Sequence, residues 1–221
     1  MSQIKSRDRI RDLAEVYTNE REVKAMLDLV PLNKEDDIIT YKYLEPACGN
    51  GNFLIEILRR KLKRVNEKYA SKSMREYEFY HARVLTTIYG IDICKENVAE
   101  AIERLYREVK SNIDLHKGSF FYSEGFFPLV HYILTNNIVV GDSINHADRI
   151  EFIEYIVKGK SFERRIFNFA SLVEPKPLPV KTLPPKNFLL IGQEYQIETD
   201  CDDELGQTNL KFGQTKFELN E

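Results

Sequence analysis

The sequence predicts an α/β protein in which a mostly parallel sheet is covered by helices on both faces. Between residues 20 and 142, segments with a helical apolar stripe alternate with short segments rich in β-branched and aromatic residues. This alternation is typical of parallel strands with covering helices. The turn Gly49-Asn50-Gly51 joins the first predicted strand directly to a helix. The 221 residues suit one such domain with a smaller extension.

A helix and a strand are predicted ahead of the glycine turn. Asn19 and Glu22 have the spacing of a capping box. The apolar residues that follow recur at the i, i+3, i+4, i+7 spacing of an amphipathic helix; they are Val23, Met26, Leu27 and Val30. Residues 38–44 are rich in β-branched and aromatic side chains, which indicates the first strand.

Two longer helices are predicted on either side of the second strand. The first runs from residue 53 to about residue 69, and residues 66–84 finish it and add a further helix. Its apolar stripe consists of Leu54, Leu58, Leu62 and Val65. A buried strand then ends at Asp92, and a second amphipathic helix covers residue 97 to about residue 110.

The next part of the chain is rich in aromatic residues. We interpret segment 118–134 as core rather than as a stacking surface. Residues 136–142 predict a third strand that ends at Asp142. Segments 149–157 and 161–169 alternate apolar and polar residues across Lys158-Gly159-Lys160, which predicts an antiparallel hairpin with one solvated face.

The chain is predicted to divide at residue 172, into an α/β domain at 1–172 and an extension at 173–221. Residues 174–185, EPKPLPVKTLPP, are interpreted as an extended connection because proline lacks the amide donor of a sheet ladder. The last 31 residues hold eight acidic and two basic side chains and few core-forming residues. We expect them to be partly disordered or to form a small β appendage.

Composition is that of a soluble globular protein. The chain is 43% hydrophobic and 30% charged, without an apolar run that could cross a bilayer. Its charged opening lacks the apolar core of a signal peptide, so we expect a cytoplasmic protein. The cysteines form no Cys-x-x-Cys pair and the histidines share no ligand spacing, so no metal site is predicted.

Charge is distributed unevenly along the chain. The net charge is −3, but residues 1–190 hold 30 basic against 27 acidic side chains. This mildly positive part permits a nucleic-acid partner without demanding one.

The glycine turn lets a ligand lie against bare backbone at the carboxyl edge of a parallel sheet. Two common ligands fit poorly. Leu54 occupies the third glycine position of a dinucleotide fingerprint, and the Gly-Lys-Ser/Thr of a nucleotide triphosphate site is missing. Glu45 just before the turn would repel a pyrophosphate and attract a cationic amine.

Residues 44–54, LEPACGNGNFL, are similar to the cofactor loop of the adenine-specific (N6) DNA methyltransferases of restriction-modification systems. Upstream, EVYTNEREVKAMLDLV resembles the motif that precedes this loop, with Asn19 where proline is common. YGIDICKENVAEA and NNIVVGDSI resemble the motifs of the second and third strands. The resemblance covers residues 13–145 and implies a Rossmann-like class I methyltransferase domain with S-adenosyl-L-methionine as its cofactor.

The resemblance also implies a role for each residue of the first motifs. Glu45 would face the methionine ammonium group, and Thr18 would offer its hydroxyl to the methionine carboxylate. Gly49 and Gly51 would let the cofactor pass close to the backbone.

The two aspartates would bind the nucleoside. Asp92 would accept from both ribose hydroxyls, a bidentate contact that suits a carboxylate. Asp142 would accept from the adenine amine, with Ser143-Ile144 packed on the purine. Segment 66–84 looks inserted between Gly51 and Asp92. The cofactor-binding residues implied in this way are Tyr17, Thr18, Glu45, Pro46, Ala47, Cys48, Gly49, Gly51, Asn52, Asp92, Ile93, Asp142 and Ser143.

The family's catalytic motif is not found. In the family this motif is Asn or Asp followed by Pro, Pro and an aromatic residue. The acid or amide side chain and a backbone carbonyl accept from the target amine, and the aromatic ring stacks on the flipped base. The pair Pro184-Pro185 lies between Leu183 and Lys186, and Asn168-Phe169 lacks the prolines. We therefore assign no catalytic residue.

Three interpretations remain open. The chain is a methyltransferase with a divergent catalytic loop or another target, or a cofactor-binding pseudoenzyme that offers a DNA or partner surface. In the third interpretation it is a small subunit whose catalysis or target recognition needs a second chain. Candidate phosphate contacts on the hairpin are Lys158, Lys160, Arg164 and Arg165.

Overall fold

A computed structural model describes residues 18–30, 38–118 and 122–204, with side chains up to residue 199. These residues form a mixed α/β structure with two three-stranded sheets. The parallel sheet has the order β1-β2-β3, with β1 at Tyr43–Glu45, β2 at Ile88–Asp92 and β3 at Ile138–Val140. The antiparallel sheet has the order β4-β5-β6, with β4 at Glu151–Lys158, β5 at Ser161–Asn168 and β6 at Lys181–Asn187.

Six helices accompany the sheets in the described part of the chain. They are α1 at Glu20–Leu29, α2 at Asn52–Tyr69, α3 at Met74–Leu85, α4 at Lys95–Lys117, α5 at Phe126–Asn137 and α6 at Phe188–Glu204. Within the same residues, none of the helices has the length and apolar character needed to span a membrane.

The helices that were predicted from periodicity are confirmed. At α1, the Asn19 side chain accepts from the backbone N–H of Arg21 at 2.9 Å and the Glu22 carboxylate accepts from the backbone N–H of Asn19 at 3.3 Å, which completes the capping box. The predicted stripe of α2 is fully buried, with Leu54, Leu58, Leu62 and Val65 all at 0% exposure. Helix α4 begins two residues earlier and runs seven residues further than residues 97–110.

The predicted parallel sheet with helices is confirmed, but the sheet is smaller than a full Rossmann-like sheet. Strand β2 lies in the centre, with Glu45 paired to Gly90 on one side and Asp92 paired to Val140 on the other. Two helices lie in each connection between these strands, α2 and α3 before β2 and α4 and α5 before β3. The described residues do not form a full Rossmann sheet, because the later strands alternate apolar and polar residues and pair as an antiparallel meander.

The prediction of helices on both sheet faces is also wrong. One face carries Ile88 and Ile138, which belong to the main core together with the apolar stripes of α2 to α5. On the other face, Tyr89, Ile91 and Val139 pack against Ile150 and Phe152, at the start of β4. The antiparallel sheet therefore takes the place that a second helical layer was expected to fill.

The Pro-rich segment contains a strand, which corrects its interpretation as a connection. Strand β6 pairs with β5 at the edge of the antiparallel sheet, with Leu183 opposite Arg164 and Lys186 opposite Phe162. The register shifts between these pairs, where Pro184 and Pro185 lie. An edge position and a register shift are the places where a sheet tolerates proline.

Residues 191–204 belong to helix α6, so the expectation of disorder or a β appendage is wrong over that range. Phe188 and Ile191 are buried and anchor the helix to the main core. Residues 205–221 lie outside the described residues, and the domain boundary at residue 172 stays a prediction.

The first strand of the parallel sheet is shorter than the sequence predicts. Residues 38–40 form a turn, and β1 begins only at Tyr43.

The aromatic segment contains helix α5, with Phe126 buried and Phe127 and Tyr132 packed against the main core. The core interpretation is therefore confirmed for these rings, while Phe120 and Phe121 lie outside the described residues.

Candidate functional site

Three predicted site carboxylates lie at the carboxyl ends of three neighbouring parallel strands. Glu45 is the last residue of β1, Asp92 is the last residue of β2, and Asp142 follows the end of β3 by two residues. Open α/β sheets bind ligands along this edge, outside the carboxyl ends of their strands. This edge is therefore the candidate ligand site.

Residues 46–51, here called the glycine loop, turn sharply at this edge. Gly49 and Gly51 have φ angles of +51° and +86°, in the left-handed region that favours glycine. A Cβ atom on Gly51 would lie 3.0 Å from the Cβ of Ala101 on α4, whereas one on Gly49 would meet open space. Gly51 is thus required both by its conformation and by its contact with a helix.

Asp92 fastens the glycine loop to the end of β2. Its Oδ2 accepts from the backbone N–H of Gly49 at 2.8 Å, and its Oδ1 accepts from the Cys94 N–H at 2.9 Å and from Asn97 Nδ2 at 3.3 Å. A carboxylate offers about four acceptor positions, so Oδ2 retains capacity for a further donor. Beside it, the buried Oδ1 of Asn97 has no hydrogen-bond partner among the described residues.

Glu45 and Cys48 flank the start of the loop. Burial raises the pKa of the Glu45 carboxyl above its ordinary value, and a hydrogen bond from the Ala47 backbone opposes the shift. Burial, together with the charges of Asp92 and Glu45, raises the pKa of the Cys48 thiol to about 12. Cys48 is therefore a neutral packing residue at pH 7 rather than a nucleophile.

Asp142 closes a turn on its own backbone. Its Oδ1 accepts from the N–H groups of Ile144 and Asn145 at 3.0 Å and 2.9 Å, and its Oδ2 accepts from Asn145 Nδ2 at 2.7 Å. Hydrogen bonds from Asn145 lower the pKa of this exposed carboxyl. The neighbouring Ser143 hydroxyl donates to the Pro46 carbonyl at 3.0 Å, which joins this turn to the glycine loop.

The carboxyl edge thus brings together Glu45, the glycine loop, Asp92 and the 142–145 turn. No family model, curated protein or solved structure matches the chain. Of the other predicted cofactor residues, Thr18 is joined to the site through Asn52, and Tyr17 lies outside the described residues. Ile93 is 59% exposed beside Asp92. The described residues hold no cluster of His, Cys, Asp or Glu that could bind a metal ion.

One turn of helix α4 contributes residues that the sequence analysis missed. Glu100 Oε1 accepts from Asn50 Nδ2 at 2.8 Å. The Arg104 guanidinium donates to the Asn50 carbonyl at 2.6 Å and to Asn52 Oδ1 at 2.9 Å. Helix α4 is marked in the sequence by its apolar stripe, and charged side chains between such positions are usually solvated. Only the packing of α4 beneath the loop distinguishes these two residues.

Neither substitute for the catalytic motif offers a free amide at the edge. Asn168 caps a short 3₁₀ turn at 169–173, where its Oδ1 accepts from the Ala170 N–H at 2.9 Å and its Nδ2 donates to the Asp148 carbonyl. The Phe169 ring packs edge-on against Phe152 at a centroid distance of 6.0 Å. The pair Pro184-Pro185 lies in β6.

The basic hairpin residues differ widely in exposure. Arg164 is only 9% exposed and donates to the Tyr132 hydroxyl at 3.2 Å, so burial makes it a poor candidate for a phosphate contact. Arg165 pairs with Glu163 at 2.6 Å. Lys158 and Lys160 remain exposed at the hairpin turn. Fewer than the four predicted basic residues are therefore available for phosphate contacts on the hairpin.

Proposed function

We propose that this chain binds S-adenosyl-L-methionine at the carboxyl edge of its parallel sheet, as a DNA adenine-N6 methyltransferase-like protein of a restriction-modification type system. The observation that carries the proposal is the meeting of Glu45, the glycine loop and Asp92 at the ends of two adjacent parallel strands. The similarity of LEPACGNGNFL to the family's cofactor loop supports the same ligand.

The chemistry of the edge fits this cofactor. Glu45 would attract the methionine ammonium group, and a half-buried carboxylate does this better than a fully hydrated one. Asp92 Oδ2 retains an acceptor position for a ribose hydroxyl, and the buried Oδ1 of Asn97, which has no partner among the described residues, needs a donor such as a hydroxyl or a water. The cofactor would supply an electrophilic methyl group at this edge.

A non-catalytic cofactor-binding module is the second candidate function. It is favoured by the engagement of the Asn168 amide in a cap and of Pro184-Pro185 in a strand, because neither is then placed to hold a target amine. In that case the chain would offer a surface to DNA or to a second subunit that supplies the catalytic residues.

Calorimetric titration with S-adenosyl-L-methionine tests cofactor binding. We expect saturable binding by the wild type and at least a tenfold loss in Asp92→Ala, since both the loop and a ribose contact depend on this carboxylate. Asp148→Ala, which changes an exposed aspartate, is the matched control. Absence of binding by the wild type would overturn the proposal.

Transfer of a tritiated methyl group to DNA separates the two candidate functions. Incorporation by the chain alone supports a methyltransferase with a divergent catalytic loop. Cofactor binding without incorporation supports the non-catalytic module, and incorporation only after addition of a second polypeptide supports a split enzyme.

A further inference from the structure

Three residues on one turn of α4 face Asn50, Gly51 and Asn52, at the end of the glycine loop and the start of α2. Glu100 binds the side chain of Asn50, which is only 5% exposed. Ala101 lies where a side chain on Gly51 would have to be. Arg104 spans the Asn50 carbonyl and the Asn52 side chain.

Arg104 also fixes the orientation of the Asn52 amide. A guanidinium group has five donors and no acceptor, so it must face the amide oxygen of Asn52 and not its NH₂ group. The NH₂ group is then directed to the Thr18 carbonyl, to which it donates at 3.0 Å. A chain of hydrogen bonds thus runs from α4 through the start of α2 to Thr18.

We propose that Arg104 is a positioning residue for the ligand of the glycine loop. It holds the loop in its left-handed turn through the Asn50 carbonyl, and it holds Thr18 beside the loop through the Asn52 amide. This inference rests on the proposed function, because the ligand is S-adenosyl-L-methionine.

The physical basis is preorganisation of the loop. A loop that is ordered before the ligand arrives loses less conformational entropy on binding, and the saving appears as affinity. Asp92 holds the loop at Gly49, and residues of α4 bind Asn50 and Asn52. Loss of Arg104 leaves the second half of the loop without its charged donor.

Titration with S-adenosyl-L-homocysteine, which binds without reacting, tests this role. We expect Arg104→Met to weaken the affinity by about tenfold. Arg107→Met is the matched control, because Arg107 lies on the same helix, is 73% exposed in its side chain and pairs with the exposed Glu103. We expect the control to bind within about twofold of the wild type.

Two further measurements separate positioning from simple loss of stability. Methylguanidinium added to Arg104→Ala should restore part of the affinity, and it should leave Arg107→Ala unchanged. In a double-mutant cycle, Arg104→Met and Asn52→Ala should lose less together than the sum of their separate losses, because both act on the Thr18 contact.

The outcomes distinguish this inference from the proposed function. A wild type that does not bind the probe overturns both. A wild type that binds, with Arg104→Met equal to it, overturns the role of Arg104 alone. If Arg104→Met does not fold, Arg104→Lys decides, since it keeps the charge without the planar donor pair; affinity equal to the wild type would then overturn the inference.

Discussion

Lys61 is a buried cation at the edge of the parallel sheet opposite the glycine loop. It is 0% exposed on α2, and its Nζ donates to the Tyr41 carbonyl and to the Thr87 hydroxyl, each at 2.6 Å. The Tyr43 ring lies 4.8 Å from Nζ. Burial lowers the pKa of Lys61 to about 7. The group therefore binds a proton more weakly in the folded chain than in the unfolded one.

Lys61 should make stability rise with pH between about 7 and 9. The unfolded chain binds more protons in this window, so the free energy of unfolding increases with pH, by up to about 1.4 kcal/mol per unit. We expect urea denaturation to show this slope in the wild type and to show it much reduced in Lys61→Met. Equal slopes in the two proteins would contradict the assignment.

Glu45 should make the affinity for a cationic ligand depend on pH. Only the ionised carboxylate attracts a cation, so affinity should rise as the pH passes the elevated pKa of Glu45 and then level off. Glu45→Gln should bind more weakly, with a flatter profile, in titrations from pH 5 to 8.

The same carboxyl has the opposite effect on stability. Because the folded pKa of Glu45 lies above the unfolded value, its contribution to stability is present at low pH and is lost as the pH rises through the folded pKa. Ligand-free Glu45→Gln should therefore melt no lower than the wild type at pH 7. A lower melting temperature would show that the carboxylate has a stabilising partner.

At the scale of the elements, the two glycines of the loop should respond differently to substitution. Gly49→Ala introduces only the left-handed strain of about 1 kcal/mol, as does Gly159→Ala in the hairpin turn, where φ is +64° and the space is open. Gly51→Ala adds the contact with Ala101 and should cost about 2 kcal/mol or more.

Thermal melts and ligand titrations of the three glycine variants provide the check. Gly159→Ala should keep its ligand affinity, because it changes only the hairpin. Equal losses of stability in Gly49→Ala and Gly51→Ala would contradict the importance of the α4 contact.

Periodicity predicts the elements that have one apolar side. The stripe of α2 and the hairpin of β4 and β5 follow directly from their spacing, and the register pairs Ile153 with Ile166 on the core side. Helix α5 was not predicted because further apolar residues on its other sides obscure the stripe formed by its buried residues. These are Phe126, Leu129, Val130, Ile133 and Leu134. The order of residues at the carboxyl edge was predictable because parallel strands end together.

Tertiary contacts decide the elements that sequence could not predict. Helix α6 is polar and acidic for most of its length, and two buried residues near its start attach it to the core. Strand β6 contains two prolines, and only the free edge of β5 makes it a strand. The loop contacts of Glu100 and Arg104 depend on which side of α4 faces α2, which a helix pattern does not state.

At the scale of the whole molecule, the two sheets share one core. Ile138 from β3, Ile153 from β4 and Phe162 from β5 belong to the same buried cluster. Across the other sheet face, the Tyr89 hydroxyl lies 3.0 Å from the Thr86 carbonyl and 3.1 Å from the Ile153 carbonyl, and it can donate to both in a shared hydrogen bond. We therefore expect the described chain to unfold as one unit.

Phe188 tests this expectation because it lies in the predicted extension and is 0% exposed against the Phe79 ring, at a centroid distance of 5.4 Å. Phe188→Ala should cost about 3–5 kcal/mol. The loss should shift one transition seen equally by far-UV circular dichroism and tyrosine fluorescence. Leu190→Ala, on the same helix and 51% exposed, should change little. Separate transitions would favour an independent extension.

The attachment of α4 beneath the glycine loop has a consequence for the lengths of neighbouring segments. A helix turns by about 100° and advances by 1.5 Å per residue, so one residue inserted between Asp92 and Arg104 would swing the guanidinium away from Asn50. The number of residues between Asp92 and Arg104 therefore sets where the guanidinium lies relative to the loop. The exposed turn at residues 71–73 carries no such register with the loop, so an insertion there should leave the contact between Arg104 and Asn50 in place.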